Sequence, residues 1–288
     1  MVVVALALVA VAVLLGTAPL FFEIKVEPLP VQSTPYVRAE DAGATVHNLL
    51  VFFVLLLGAT AAIYILFTRR RLLNLFLYFV WYVLAVGVVQ FYTILYYWTG
   101  LLDEVNAVRL MWASLLFGLA VALLIHRRRG DLLLGFLGAL AGVMFVWLLP
   151  EPTVAALLVA LPVYDYVMVS RGLLGKLVRK SKEAAGGGGG GARGDTPLFG
   201  FVVRLRNMSL GVGDFVVYAM ALSYIVTKLV HLGGGAALLS LAAGVALIYL
   251  GLRLTVSVFL KRWGYGPALP LPILLLSPLI AAAWLLPA

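Results

Sequence analysis

The chain contains no cysteine and very little charge. Without cysteine it cannot form disulfides, use a thiol in catalysis or bind a metal ion through thiolates. Only 11% of its 288 residues are charged, whereas 64% are hydrophobic, and the mean hydropathy is +1.10. Apolar runs as long and frequent as these are typical of membrane-spanning segments. The composition therefore predicts a polytopic membrane protein and excludes a soluble domain.

The long apolar runs recur along the whole chain. A helix needs about 20 mostly apolar residues to cross the hydrocarbon core of a bilayer. Nine segments approach that length: 2–22, 47–68, 72–98, 109–126, 131–149, 152–170, 208–230, 235–260 and 267–287. The sequence therefore predicts an all-α fold with nine transmembrane helices. No basic residues precede the first apolar run, as they would in a signal peptide, so we expect this segment to be retained.

The basic residues are concentrated on alternate loops of this arrangement. They follow the second, fourth, sixth and eighth spans, at 69–71, at 127–129, within 171–207 and at Lys261 and Arg262. The positive-inside rule then places the N-terminus and the 171–207 loop in the cytoplasm and the C-terminus outside. We expect a multi-pass protein of the plasma membrane, in which the net charge of +9 serves orientation and lipid contact, not nucleic-acid binding.

One long polar segment divides the chain into a six-span part, 1–170, and a three-span part, 208–288. The segment between them, 171–207, contains six consecutive glycines and is typical of a flexible linker. It lacks the Lys-Ser/Thr pair of a phosphate-binding loop, so nucleotide binding is not expected. Its end, 199–206, is rich in β-forming residues. Both a short strand at the membrane surface and a plain basic segment fit this pattern.

Two of the twelve carboxylates stand alone inside apolar runs, Asp165 in the sixth span and Asp214 in the seventh. A charge at the bilayer centre costs about 2.5 to 3.5 kcal/mol on insertion scales, so acids at such positions indicate function. Counting about 1.5 Å per helical residue from Arg171 and Arg206 places them roughly 9 and 12 Å below the same surface. Pro267 re-enters the membrane at a similar depth. Three segments are therefore predicted to converge in one layer.

Glycines accompany the second acid. Gly211 lies one helical turn before Asp214 and leaves space beside it, and Gly213 allows close approach of another backbone. Gly138 and Gly142 form a separate pair at helical spacing in the fifth span, which predicts a helix-packing face.

Prolines interrupt the sixth and ninth spans. Pro162 lies one turn before the first acid and frees the carbonyl of Leu158 from its helical hydrogen bond. Pro267, Pro270 and Pro272 remove three N–H groups, so we expect the start of the last span to be partly unwound and covered by protein or trapped water. Each proline or glycine alone also fits simple packing or a kink.

Three motifs carry a family resemblance. Residues 163–166 (VYDY) resemble the YD motif, residues 211–218 (GVGDFVVY) the GxGD motif and residues 267–270 (PALP) the PAL motif of presenilins and signal peptide peptidases. The nine spans and the order of the motifs also match. The longer motif forms and the cytoplasmic sixth loop are most similar to presenilins, including their archaeal homologues. Val212 replaces the usual Leu and Ser209 replaces a Lys often found in animal presenilins, which bears on substrate preference.

The resemblance implies an intramembrane aspartic endopeptidase that cleaves the transmembrane helices of other membrane proteins. Its partners are then these substrates and membrane lipids, with a homo-oligomer left open, and no metal or other cofactor is expected. The implied roles are catalytic for Asp165 and Asp214, support of the active site for Tyr164, Gly211 and Gly213, and substrate binding for Pro267, Ala268 and Leu269.

Physical chemistry gives two close carboxylates a definite reactivity. In a medium of low dielectric constant both cannot ionise cheaply, so they share one proton. The charged member takes a proton from the attacking water while the protonated member hydrogen-bonds the scissile carbonyl. Which acid starts as the base stays open, because titration belongs to the pair. A substrate helix must first unwind, and residues 199–206 and the loop at Pro267 are candidates to hold its backbone as an added strand.

Other functions also use buried acids. A proton-coupled transporter is the main alternative, although its usual related halves are not visible in the sequence. A prepilin-type peptidase shares the GxGD signature but has no PAL segment, and an inactive scaffold would keep the fold alone. The three histidines, His47, His126 and His231, lie at span ends and do not indicate a metal site.

Overall fold

The computed structural model describes residues 1–22, 35–66, 69–170, 200–204, 209–260 and 266–285. The first part of the chain forms six helices: α1 (Val2–Phe21), α2 (Ala42–Leu66), α3 (Arg70–Trp98), α4 (Glu104–His126), α5 (Asp131–Leu148) and α6 (Glu151–Ser170). Two short strands follow, β1 (Val202–Arg204) and β2 (Ser209–Gly211). The last part forms α7 (Val212–Leu229), a 3₁₀ turn (Val230–Leu232), α8 (Gly234–Thr255), a π-helical turn (Val256–Leu260) and α9 (Pro270–Trp284).

Helices α1 to α8 are each long and apolar enough to cross a membrane. The prediction of a predominantly helical protein with the character of a multi-pass membrane protein is therefore confirmed at this level. Helix α9 is also apolar but has only 15 residues. Within the described residues, eight helices rather than nine reach the length of a span.

The starts of α2 and α4 were predicted too late, at 47 and 109 instead of Ala42 and Glu104. The first turns of both helices, AGATVHN in α2 and EVNAVR in α4, contain small or polar residues, so a search for apolar runs overlooks them. Asp41 Oδ1 accepts the N–H of Ala44 at 2.6 Å, and Asp103 Oδ2 accepts the N–H of Asn106 at 3.2 Å. These carboxylates bind N–H groups of the first turn, which otherwise have no partner within the helix.

The start of the predicted seventh span, 208–230, was wrong. Residues 209–211 form strand β2, which pairs antiparallel with β1 so that Val202 faces Gly211 and Arg204 faces Ser209. Of the two interpretations left open for 199–206, the short strand is the one found, as β1. Its partner β2 was missed because it continues directly into an apolar helix.

The β1–β2 hairpin lies against the helices. The indole N–H of Trp81 in α3 donates to the carbonyl of Gly200 at 2.9 Å. Arg204 Nε lies 3.1 Å from Asp131 Oδ2 at the start of α5. Val203 and Leu210, on the inner face, are buried. These contacts fix the hairpin next to the first turn of α7.

Helix α7 lies at the centre of the protein and packs against α1, α5, α6, α8 and α9. The glycine pair of α5 lies at the contact with α7. A Cβ atom at Gly138 would lie 2.8 Å from Val212 Cγ1, and one at Gly142 would collide with the carbonyl oxygen of Val216. The predicted helix-packing role of this pair is confirmed.

Helices α6 and α7 are also joined at the ends remote from the hairpin. Lys228 Nζ, in the last turn of α7, lies 2.6 Å from Glu151 Oε2 at the start of α6. The Tyr224 hydroxyl donates to Glu151 Oε1 at 3.0 Å. The lysine side chain is only 10% exposed, so this is a largely buried ion pair.

Candidate active site

Three segments meet at the end of α7 next to the hairpin. They are α6, the junction of β2 with α7, and residues 266–269, which lead into α9. The helices of these segments pack against one another in all three pairs. Asp165 comes from α6, Asp214 from α7, and the backbone of Leu269 from the third segment. The convergence predicted from depth thus corresponds to real contacts between these elements.

Asp214 occupies the third position of α7, not its interior. Its Oδ2 atom accepts the N–H of Gly211 at 2.8 Å, and the residue is only 9% exposed. A carboxylate in the first turn also benefits from the positive end of the helix dipole. The junction between strand and helix therefore gives this acid a donor in a buried place.

The expected position of Gly211 on the same helical face as Asp214 was wrong. Gly211 ends β2 in an extended conformation, with φ −65° and ψ 146°, and α7 starts after it. A Cβ atom there would lie 3.4 Å from Asp214 Oδ2, so the glycine lies against the acid. Gly213 is exposed, and a Cβ atom there would meet no described atom within 4 Å. Among the described residues, none therefore fills the space at Gly213, the neighbour of the acid in sequence.

Asp165 receives its donor from the other side. The N–H of Leu269 donates to Asp165 Oδ2 at 3.1 Å, across 104 positions of the chain. The backbone of Ala268 adds a further interaction with the same carboxylate. Because residues 266–269 are not helical, their N–H groups are available to a side chain.

The prolines of this segment have two different roles. Pro267 lies in the non-helical stretch, as the expected unwinding required. Pro270 and Pro272 instead lie in the first turn of α9, where the expectation of unwinding was wrong. The N–H groups of a first turn have no partner within the helix, so proline costs little at these positions.

Tyr218, which the sequence analysis did not select, is part of the same cluster. Its hydroxyl donates to the carbonyl of Ala268 at 2.7 Å, and the residue is only 1% exposed. It follows Asp214 by four residues in α7, and residues at that spacing share a helical face. This spacing was the signal in the sequence that could have identified it.

The two acids are close enough to interact electrostatically, since the charge of Asp165 acts on Asp214. Asp214 is buried and Asp165 is partly buried. A second negative charge in this place is therefore more costly than the first, because the two charges repel each other in surroundings of low dielectric constant.

Tyr164, adjacent to Asp165, faces a different helix. Its ring centroid lies 5.8 Å from that of Phe53 in α2. The structure thus associates Tyr164 with the contact between α2 and α6. Pro162 lies within α6, which continues as a helix through it.

No cluster of three or more His, Cys, Asp or Glu side chains suited to a metal ion occurs among the described residues. In comparisons with known proteins, no family model matches the chain and no curated protein matches it. The chemistry of the site is therefore argued from the residues of this chain alone.

Proposed function

We propose that this protein is an intramembrane aspartyl protease of the presenilin type, which hydrolyses peptide bonds within the transmembrane helices of other membrane proteins. One observation carries the proposal. A buried acid of α7, Asp214, and a partly buried acid of α6, Asp165, interact with each other, and the segment before α9 donates a backbone hydrogen bond to Asp165. A single acid in such a place is explained most simply by a structural role, whereas a pair of interacting acids can share a proton and act on water.

The proposed reaction uses Asp165 and Asp214 as a pair that holds one proton. The ionised carboxylate accepts a proton from water, and the resulting hydroxide oxygen bonds to the carbonyl carbon of the substrate. The protonated acid transfers its proton to the carbonyl oxygen, which gives the tetrahedral diol and leaves this second acid ionised. The roles then reverse: the first acid passes the proton that it took from water to the amide nitrogen, the C–N bond breaks, and the second acid takes a proton back from a diol hydroxyl as a carboxylic acid and an amine leave.

The surroundings of the acids support an extended substrate. Strand β2 continues directly into the turn that carries Asp214, and residues 266–269 lie beside Asp165 without helical structure. Backbone groups at such places can pair with an unwound peptide as an added strand. We place the substrate-binding role at Pro267, Ala268 and Leu269 and at the hairpin, with open space for the chain beside Gly213.

We further propose nine membrane crossings, with the N-terminus and the 171–207 loop in the cytoplasm and the C-terminus outside the plasma membrane. The 15 residues of α9 measure about 22 Å, short of a hydrocarbon core of about 30 Å. The four residues of 266–269 add up to roughly 13 Å if extended. A last span that is helical only in its outer part fits these lengths. Most of the 171–207 loop lies outside the described residues.

Cleavage of a synthetic single-span peptide by the purified protein in detergent or liposomes tests the proposal. Asp165→Asn and Asp214→Asn should each abolish the products seen by mass spectrometry, because asparagine cannot exchange a proton with water. Asp103→Asn, at the start of α4, is the matched control and should retain activity, since asparagine also caps helices well. Cleavage that survives either active-site change contradicts the proposal. Proton transport that depends on these acids, without proteolysis, would favour a transporter.

A further inference from the structure

One peptide group connects Tyr218 with Asp165. The Tyr218 hydroxyl donates to the carbonyl of Ala268 at 2.7 Å, and the N–H of Leu269 donates to Asp165 Oδ2 at 3.1 Å. The carbonyl of Ala268 and the N–H of Leu269 belong to the same amide. A side chain of α7 thus contacts the acid of α6 through a single planar peptide.

Two physical effects follow from this arrangement. A peptide group is rigid and planar, so a hydrogen bond that fixes its oxygen also fixes the direction of its N–H. Hydrogen bonds in series also polarise one another, which makes the N–H a stronger donor to the carboxylate. Both effects matter at residues 266–269, because this stretch is not held by the hydrogen bonds of a helix.

The start of α9 is also confined from the opposite side. Gly251 of α8 lies directly against the backbone of Pro272, and a Cβ atom at Gly251 would collide with the Cα atom of that proline. The first turn of α9 therefore has little freedom to move toward α8. On the other side of this peptide, the Tyr218 hydroxyl holds the carbonyl oxygen of Ala268 by a hydrogen bond of 2.7 Å.

We propose that Tyr218 is a positioning residue, which orients the peptide between Ala268 and Leu269 and thereby holds the Asp165 carboxylate opposite Asp214. This inference rests on the proposed protease function. Tyr218 follows Asp214 by one turn on the same helix, so a single helical face carries one acid and orients the other. The hydroxyl acts through the peptide and takes no part in proton exchange with water or substrate.

A simpler reading is that the hydroxyl only satisfies a buried carbonyl. Tyr92 provides the matched control, because its hydroxyl donates to the carbonyl of Leu140 at 2.8 Å in the contact between α3 and α5. Tyr92→Phe removes a bond of the same kind and length, away from the acids. A structural role predicts equal consequences for Tyr218→Phe and Tyr92→Phe.

The test compares these two variants in cleavage of a single-span peptide and in the ¹H–¹⁵N spectrum of the Leu269 amide, assigned through Leu269→Met. For Tyr218→Phe we expect kcat to fall about tenfold with little change in KM, the effect of one lost hydrogen bond. The Leu269 amide proton should move upfield, because its peptide is less polarised. Tyr92→Phe should change neither quantity.

Gly251→Ala is the second variant, because its Cβ atom would push against Pro272 in the first turn of α9, three residues after the Ala268–Leu269 peptide, and it leaves Tyr218 intact. It should also lower kcat and shift the Leu269 amide. The inference is wrong if Tyr218→Phe and Tyr92→Phe agree in both kcat and amide shift. A further outcome separates the two proposals: the unmodified protein cleaves no substrate, but the Leu269 amide shifts in Tyr218→Phe and not in Tyr92→Phe. In that case the protease proposal fails, while the orientation of the Ala268–Leu269 peptide by Tyr218 is supported.

Discussion

At the scale of single residues, the two acids differ in how they obtain their backbone donors. Asp214 accepts from Gly211, three residues away, and Asp165 accepts from Leu269, in a distant part of the chain. The sequence identified both acids, because an isolated carboxylate in an apolar run is costly and therefore informative. It could not identify the donor of Asp165, since that contact depends on how the start of α9 folds against α6.

Substitution of Gly211 can remove the donor of Asp214. Its φ of −65° suits proline, and Leu210 before it lies in a strand, the conformation that proline favours in the preceding residue. Gly211→Pro should therefore keep the backbone conformation, but the ring carbon on the nitrogen replaces the hydrogen that points at Asp214 Oδ2 from a nitrogen 2.8 Å away, so the carboxylate loses its donor and must also turn aside. Because a hydrogen bond to a charged group contributes about 1.5 to 3 kcal/mol and the displacement adds to its loss, we expect kcat to fall by at least roughly tenfold.

Gly211→Ala is the control for this change. It places a Cβ atom at the same 3.4 Å from Asp214 Oδ2 but keeps the N–H, so most of the activity should remain. Steady-state cleavage rates of both variants, with circular dichroism to verify folding, provide the measurement. Equal rates for the alanine and proline variants would show that the N–H of Gly211 does not matter.

At the scale of elements, most helices could be located from apolar runs alone. Predicted spans 2–22, 72–98, 131–149 and 152–170 agree with α1, α3, α5 and α6 within two residues at each end. The predicted spans differ from the observed helices where a contact with another segment, and not hydropathy, determines the local structure. Ser209–Gly211 is a strand because β1 pairs with it, a contact between segments that apolar periodicity does not report. The predicted ninth span, 267–287, has three non-helical residues before α9, and their backbone contacts Asp165 and Tyr218.

The ion pair between Glu151 and Lys228 joins the two helices that carry the acids. Removing one partner leaves a largely buried charge unpaired, so Glu151→Gln and Lys228→Met should each destabilise the protein. Because the glutamate side chain is 29% exposed, we discount the usual cost to about 1 to 3 kcal/mol. The unfolding temperature in detergent measures this loss.

The double variant Glu151→Gln/Lys228→Met should recover part of the stability, because neither charge is then left alone. Its cleavage rate well below the unfolding temperature should stay near that of the unmodified protein, since the pair lies at the ends of α6 and α7 remote from the hairpin. Additive losses in the double variant would contradict a direct interaction between the two side chains.

At the scale of the whole molecule, helix α7 connects the packing of the protein with its chemistry. It packs against five other helices, contributes Asp214 and Tyr218, and follows the hairpin directly. One acid lies before residues 171–207 in the sequence and the other lies after them. Bringing the acids together therefore requires α6 to pack against α7, and these helices do share contacts.

The most direct test of the central claim is a structure of the protein with a peptide isostere whose hydroxyl replaces the tetrahedral diol. We predict that this hydroxyl lies within hydrogen-bond distance of both the Asp165 and Asp214 carboxylates, and that the inhibitor backbone runs beside residues 266–269. An isostere bound away from these residues, or with its hydroxyl near only one of the two acids, would contradict the account.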